Sequence, residues 1–304
     1  MSIMSHTATA FFGGMVIHLS ILTAQAHASA VEPRLLVFSK IAPDGYRHEA
    51  IPLAITAISK LGRQNGFAVD TTEDSKAFTS SNLARYQAVF FNHTFGEVFD
   101  SAQRIAFQAY IRKGGGFAGI HASSYAELAW PWYRSLVGAY FKSHSAIIQG
   151  TLIVEDQTHL STVGLPATGK WTHIDEWYDF DANPRPYVHV LLTVDEETYP
   201  GGKMGADHPI SWYHDFEGGR AWYSAMGHTA ECYADSNFLA HLRGGILYAM
   251  GTSEPVRILS LPLRVSGSAG QGRRGILTFI EGGTGCLGDI RKEPSYSADG
   301  ALVP

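Results

Sequence analysis

The sequence alternates between short apolar runs and segments with helical spacing, and this order limits the fold more than any other feature. Residues 35–38 and 87–91 have the apolar character of strands that are buried on both faces of a sheet. Between them, apolar residues recur at helical spacing from Ile51 to Leu61. A strand–helix–strand order of this kind predicts an α/β fold with a mostly parallel, doubly wound sheet.

Further segments continue this alternation along the chain. Asp100 and Gln103 have the spacing of a capping box, which predicts a helix that begins there and ends near Lys113. The later strand-like segments follow one another with fewer helices between them, and a more mixed pairing is expected there. The other expected strands are 67–69, 117–120, 147–154, 188–194, 210–213 and 221–225, and a last helix is expected over 235–250.

The two ends of the chain differ from its middle. Residues 1–30 contain no Lys, Arg, Asp or Glu, and an apolar stretch there precedes small residues of the A-x-A type. This pattern predicts a secretory signal peptide, and hence a periplasmic or secreted protein. Residues 252–304 contain nine Gly and four Pro, which indicates a low-complexity C-terminal extension. One domain is therefore expected over residues 31–251.

Composition excludes several classes of function. The net charge is −5 and no basic run occurs, so a nucleic-acid partner is not expected. Two cysteines are too few for a disulfide framework or a Cys-rich zinc site. The apolar N-terminal stretch is too short and interrupted for a stable membrane anchor, whereas a homo-oligomer is compatible with the sequence. The 14 His and 14 Tyr instead suit a pocket for a polar small molecule.

Several polar side chains follow the predicted strands of the sheet directly. In doubly wound sheets, ligands bind at the carboxyl ends of the strands. His48, Asn92, His121 and His228 all stand just after such segments. We therefore expect these four residues to lie near one site.

A second group of candidates combines carboxylates with aromatic rings. In the run 175–178 two acidic residues precede two aromatic ones, a combination that suits sugars because a ring stacks on the sugar face while a carboxylate accepts from hydroxyls. His208, before a proline, is a further candidate. The predicted substrate-binding residues are His48, Asn92, Asp175, Trp177, Tyr178, His208 and Trp212.

Seven short motifs occur in an order that resembles the ThuA-like (trehalose-utilisation) family. They cover most of residues 33–251, and neither the N-terminal nor the C-terminal segment takes part in the resemblance. The motifs are GYRH at 45–48, GGGFAGIHA at 114–122, WPWY at 130–133, FKSH at 141–144, DEWY at 175–178, GADHPISW at 205–212 and GHT at 227–229.

The resemblance implies a flavodoxin-like fold of the class I glutamine amidotransferase-like type. That superfamily carries a nucleophilic Cys at the turn where this chain has His121, and a later His that corresponds to His228. Glu231 is displaced by one residue from the superfamily's His-x-Glu spacing. An amidotransferase reaction is therefore not expected. The family is linked to the use of trehalose and related disaccharides through 3-keto-sugars.

Two chemistries remain open for the predicted catalytic residues His121, His228 and Glu176. Two imidazoles and a carboxylate could bind a divalent metal such as zinc, as in catalytic zinc sites. Without a metal, the histidines could act as general acid and base near neutral pH. Either would suit isomerisation, elimination or hydrolysis of a keto-sugar or glycoside. The alternative function is a non-catalytic carbohydrate-binding protein of the same fold.

Two further histidines are placed outside the predicted site. His93 departs from the pattern of the ThuA-like family, and His144 is interpreted as a surface or structural residue.

Overall fold

A computed structural model describes residues 32–252 and the backbone of two short strands nearer the N-terminus. These strands, β1 (Thr7–Phe12) and β2 (Met15–Ser20), pair antiparallel. The other residues of the predicted signal peptide lie outside the residues that the structure describes, so the signal peptide stays a prediction. The predicted C-terminal extension also lies outside the described residues, apart from its first position.

The first part of the domain contains four short strands. They are β3 (Arg34–Phe38), β4 (Ala68–Thr72), β5 (Ala88–Asn92) and β6 (Gly116–Ile120). Strands β5 and β6 are buried at every position, as expected for strands that are covered on both faces. The sequence predicted all four, with boundaries that differ by at most one residue except at the end of β4, which extends three residues beyond the predicted end.

Within residues 32–252, five α-helices accompany the strands. The predicted capping box is confirmed, since Asp100 and Gln103 each accept a hydrogen bond from the other's backbone N–H. The helices are α1 (Ile51–Asn65), α2 (Ser80–Leu83), α3 (Ser101–Arg112), α4 (Pro131–Val137) and α5 (Ser236–Ala249).

The second part of the domain is rich in strands with few helices between them. Its strands are β7 (Phe141–Val154), β8 (Lys170–Phe180), β9 (His189–Asp195), β10 (Pro209–Phe216) and β11 (Gly219–Ser224). Together with β3 to β6 they form one sheet in the order β4-β3-β5-β6-β11-β10-β9-β7-β8.

The expected mostly parallel sheet is not confirmed, because the sheet is mixed. Strands β4, β3, β5, β6 and β11 run parallel, and the other neighbours pair antiparallel. The physical reason lies in the connections. Parallel neighbours need a long crossover such as a helix, whereas β10 and β11 are joined by a two-residue turn that only antiparallel strands allow.

Strand β8 was not predicted from the sequence, although it carries the run 175–178. Along β8, Trp171, His173 and Asp175 are buried and alternate with exposed neighbours. Two of these three buried residues are polar, so the strand lacks the alternation of apolar and polar residues by which a strand is recognised. Strand β7 also begins earlier than expected, at Phe141.

Aromatic side chains fill much of the hydrophobic core. Phe38, Phe91 and Phe107 lie in one continuous group, in which the rings of Phe91 and Phe107 are 5.6 Å apart. Trp212 and Tyr223 pack together elsewhere, with centroids 4.8 Å apart. Among the described residues, no helix is long and apolar enough to span a membrane.

We predict that Gly116→Ala destabilises the domain, because a methyl group at Gly116 would overlap the backbone of Ala249 at the end of α5. Overpacking of this kind costs about 1–3 kcal/mol. Urea unfolding of the purified protein measures the effect. The matched control is Gly164→Ala, where the nearest atom to the new methyl group is 3.5 Å away. Equal midpoints for both variants would contradict the close packing of α5 on β6.

Candidate functional site

A pocket of about 360 Å³ opens at the carboxyl ends of the parallel strands. This is the edge at which doubly wound sheets bind ligands. Its walls combine titratable groups with aromatic rings. The lining residues are Tyr46, His48, Phe95, Tyr125, Phe141, His144, Glu176, Tyr178 and His228.

His121 lies beneath this pocket, at the turn that follows β6. Its backbone has a φ of 47°, in the left-handed region that non-glycine residues rarely adopt. The Nδ1–H of the ring donates to the carbonyl oxygen of Ala225 at 2.7 Å, and this bond leaves Nε2 as the unprotonated nitrogen. Nε2 accepts from the hydroxyl of Tyr178 at 2.8 Å and lies 3.0 Å from Nδ1 of His228. Backbone strain of this kind is typical of functional sites.

Burial keeps two of the site's histidines neutral. The pKa of His121 lies well below its ordinary value because the ring is fully buried, and the neighbouring His93 and His48 lower it further. Burial and the proximity of His228 lower the pKa of His48 to about 4. At neutral pH both rings therefore offer lone pairs rather than positive charge.

His48, His121 and His228 form a group that could hold a metal ion. Their nearest ring nitrogens all lie within 4.8 Å of one another. Nδ1 of His48 is buried and has no hydrogen-bond partner, so one ring nitrogen of the group remains available to a ligand. Of the three residues predicted as metal ligands, His121 and His228 belong to this group together with His48, whereas Glu176 does not, and metal binding stays a prediction.

Glu176 brings a carboxyl group next to the histidines. One oxygen, Oε2, lies 3.4 Å from Nδ1 of His228 and 3.6 Å from Nε2 of His121. The other, Oε1, lies 3.0 Å from Nδ1 of His144. Burial raises the pKa of Glu176, while His228 and His144 oppose this effect. The carboxyl group is therefore suited to exchanging a proton.

His144 is a site residue that the sequence interpretation assigned to the surface. It belongs to β7, where it stands opposite Tyr178 of β8. This pairing places the ring beside Glu176. Because β8 was not predicted, no feature of the sequence pointed to this pairing.

His93 is a second residue that the sequence interpretation left out. It has a φ of 56° and is fully buried, with its ring centroid 5.0 Å from His48 and 5.4 Å from His121. Its Nε2 lies 3.0 Å from the carbonyl oxygen of Gly227, and its Nδ1 contacts Asn92. His93 thus supports the histidine group from below.

Asn92 is also a supporting residue and does not line the pocket. Its side-chain amide is fully buried and donates to Ser39 at 3.0 Å and to the carbonyl oxygen of Ile51 at 3.2 Å. These bonds fix the start of α1, which follows the loop that carries His48. Asn92 was predicted to contact the substrate, but in the structure it only supports the neighbouring backbone.

Asp175 lies on the buried face of β8, beneath the pocket. Its carboxylate accepts hydrogen bonds from the backbone N–H groups of Gly227 at 2.7 Å, His228 at 3.1 Å and Glu176 at 2.9 Å. It therefore holds the loop that carries His228 and does not line the pocket, where it was predicted to contact the substrate.

Three other predicted substrate contacts lie in the core. The indole N–H of Trp177 donates to the carbonyl oxygen of Ile148, and that of Trp212 donates to Val137. His208 is fully buried and bonds to the carbonyl oxygen of Tyr178. The structure does not bring these three side chains to the pocket. Of the predicted substrate-binding residues, His48 and Tyr178 line it.

A second cavity, of about 330 Å³, lies at the opposite end of the central strands. Lys113 and Arg220 give it a positive character, and none of its lining residues is a histidine or a carboxylate. The histidines and the carboxylate that acid–base chemistry would use line the first pocket instead.

We predict that His48 contributes to acid unfolding. Its folded pKa of about 4 lies below the unfolded value of 6.5, so the unfolded state binds more protons between these pH values. The contribution of His48 to the free energy of unfolding is fully present above pH 6.5. It falls by about 3 kcal/mol as the pH drops towards 4.

The test is chemical unfolding at pH 7 and pH 4 in a chelating buffer. His48→Gln should lose about 3 kcal/mol less than the unchanged protein over this interval, since the other buried histidines are common to both. Equal losses for the two proteins would contradict the buried, neutral state of His48.

Comparison with known proteins shows which family this domain resembles. A family model described as trehalose utilisation (ThuA) matches residues 34–249. Among curated proteins, none matches this sequence.

Solved structures give the same indication. A ThuA-like protein from Bacteroides uniformis is 25% identical, with a TM-score of 0.61, and the match covers 75% of this chain and 95% of that one. A ThuA-like protein from Parabacteroides merdae is 20% identical, with a TM-score of 0.59 and coverage of 74% and 93%. The second match, below 25% identity, bears on the fold alone.

Proposed function

The chain belongs to the ThuA (trehalose utilisation) family, and on that premise we propose that it is an enzyme of carbohydrate utilisation. Its substrate would be a keto-sugar or glycoside related to trehalose, bound in the pocket above His121. The observation that supports this best is the contact of Glu176 with His121 and His228, because it joins a carboxyl group of raised pKa to a neutral imidazole.

These groups can divide the work of a proton-transfer reaction. A carbonyl group in a sugar ring makes the hydrogen on the adjacent carbon acidic. One group of the site removes that proton, and a second returns a proton to the carbon or to a departing oxygen. Return of the proton to the opposite face of that carbon gives an isomer, and protonation of a departing oxygen on the next carbon gives elimination. Groups with pKa values moved towards neutrality are best suited to both steps.

The three pocket histidines fit a divalent metal such as zinc. His48, His121 and His228 would hold the ion through ring nitrogens. Nδ1 of His48, which has no hydrogen-bond partner, is the nitrogen most readily available to it. Such an ion would polarise the carbonyl oxygen of the substrate. Glu176 would remain beside it to transfer the proton.

The pocket's aromatic walls suit a sugar ring. Tyr46 is 59% exposed at the mouth, and Phe95, Tyr125 and Phe141 form further walls. Aromatic faces stack on the apolar face of a sugar, while Glu176 and the histidines take its hydroxyls. A volume of about 360 Å³ is in the range of small-molecule sites.

Cellular location and partners are part of the same proposal. The uncharged, apolar segment within residues 1–30 supports export to the periplasm or beyond. A small carbohydrate is the proposed partner, with no nucleic acid and no stable membrane anchor, and a homo-oligomer remains compatible with the chain.

We predict that Glu176→Gln lowers kcat for a 3-keto-disaccharide about 10²- to 10⁴-fold, because the amide cannot exchange a proton. Mass spectrometry of 3-keto-trehalose incubated with the protein measures turnover. The matched control is Glu197→Gln, which removes an exposed carboxylate outside the pocket and should leave kcat unchanged.

The same assay tests the non-catalytic alternative, which the complete burial of His121 favours. Binding of 3-keto-trehalose by the unchanged protein without turnover, with or without added zinc, would contradict the enzyme proposal and leave a carbohydrate-binding protein.

A further inference from the structure

A second group of metal-ligating side chains lies below the pocket, between β8 and the segment before α5. Sγ of Cys232 is 3.4 Å from Nε2 of His173 and 3.4 Å from Oδ2 of Asp175. Nε2 of His173 is 3.6 Å from the same carboxylate oxygen. All three residues are buried. We propose that they form a buried site for a divalent metal ion of the zinc type, separate from the three pocket histidines.

The separations match the ligand spacing of tetrahedral zinc. Bonds of about 2.0–2.3 Å place neighbouring ligand atoms about 3.3–3.8 Å apart in a tetrahedron. All three observed separations fall in this interval. Thiolate, imidazole and carboxylate are also the ligand types that zinc takes in proteins.

The orientation of His173 supports the same assignment. Its Nδ1–H donates to Oδ2 of Asp235 at 3.0 Å, so a neutral ring directs the lone pair of Nε2 at Cys232 and Asp175. A carboxylate that holds the outer nitrogen of a ligating histidine is the usual support for a metal ligand. The carboxylate of Asp175 is held in a similar way, by the backbone N–H of Gly227.

Three acceptor atoms lie close together in this buried group. With His173 neutral, the single thiol proton can serve either Nε2 or Oδ2, while the backbone N–H of Gly227 donates to Oδ2 and the hydroxyl of Thr229 contacts the sulfur. Acceptor atoms this close repel one another in a buried environment, and a cation among them removes that repulsion. The other remedy is a second proton on His173, and the experiment below distinguishes the two.

Thr229 is a candidate fourth ligand, and the group lies near enough to the surface for an ion to enter. The hydroxyl of Thr229 contacts the same sulfur at 3.4 Å and offers an oxygen. Thr229 is half-buried and the side chain of Asp235 is 25% exposed, so the group lies close to the surface. A metal here would stiffen the backbone of Gly227 and His228, because Asp175 bonds to both.

The test is titration of the chelator-treated protein with Co²⁺, followed by the sulfur-to-cobalt charge-transfer absorption. It is done in a Cys286→Ser background, which leaves Cys232 as the only thiol of the chain. We expect one equivalent of thiolate-bound cobalt, displaced by Zn²⁺ and lost in Cys232→Ser. Asp235→Asn should retain the absorption and weaken the affinity about 10- to 100-fold.

The pocket variant His48→Ala separates this site from the pocket. It should retain the thiolate absorption, because the pocket histidines offer no sulfur, so failure of a pocket metal leaves this result unchanged. No thiolate absorption in folded Cys286→Ser protein would overturn the proposal and leave a protonated His173 in its place.

Discussion

The site depends on the hydrogen bonds that the buried carboxylate of Asp175 accepts from the backbone. Asp175 is fully buried and accepts three backbone N–H groups, from Glu176, Gly227 and His228. Its carboxylate therefore joins β8, at the end of the antiparallel part, to the loop that follows β11 in the parallel part. A buried charge without such partners would be strongly unfavourable, so the two parts are held in one arrangement. This arrangement brings Glu176 to His121 and His228.

Desolvation gives the site its chemical character. The histidines below the pocket are neutral because burial disfavours their charged forms, and burial also favours the protonated form of Glu176. His93 and His121 both have positive φ values, and the packing around them maintains this strain. A low-polarity floor of neutral histidines thus lies under an open pocket, beside a carboxyl group whose pKa burial raises.

The sequence predicted the parallel part of the fold better than the antiparallel part. Continuous apolar runs identify β5 and β6, and the position of His121 after β6 then follows from where such sheets bind ligands. Strand β8 was missed because His173 and Asp175 occupy its inward positions. The partners of Glu176 on β7, His144 among them, depend on that pairing and were missed with it. Trp177 and Trp212 were expected at a ligand because aromatics beside polar motifs suit sugars, yet these large rings fill the core.

A crystal structure of the protein soaked with a 3-keto-disaccharide tests the central claim most directly. The account predicts a sugar ring in the pocket between Tyr46 and Phe141, with an oxygen within hydrogen-bond distance of Glu176 and the nearby histidines. Electron density for the sugar at another surface, with a vacant pocket under saturating ligand, would contradict it.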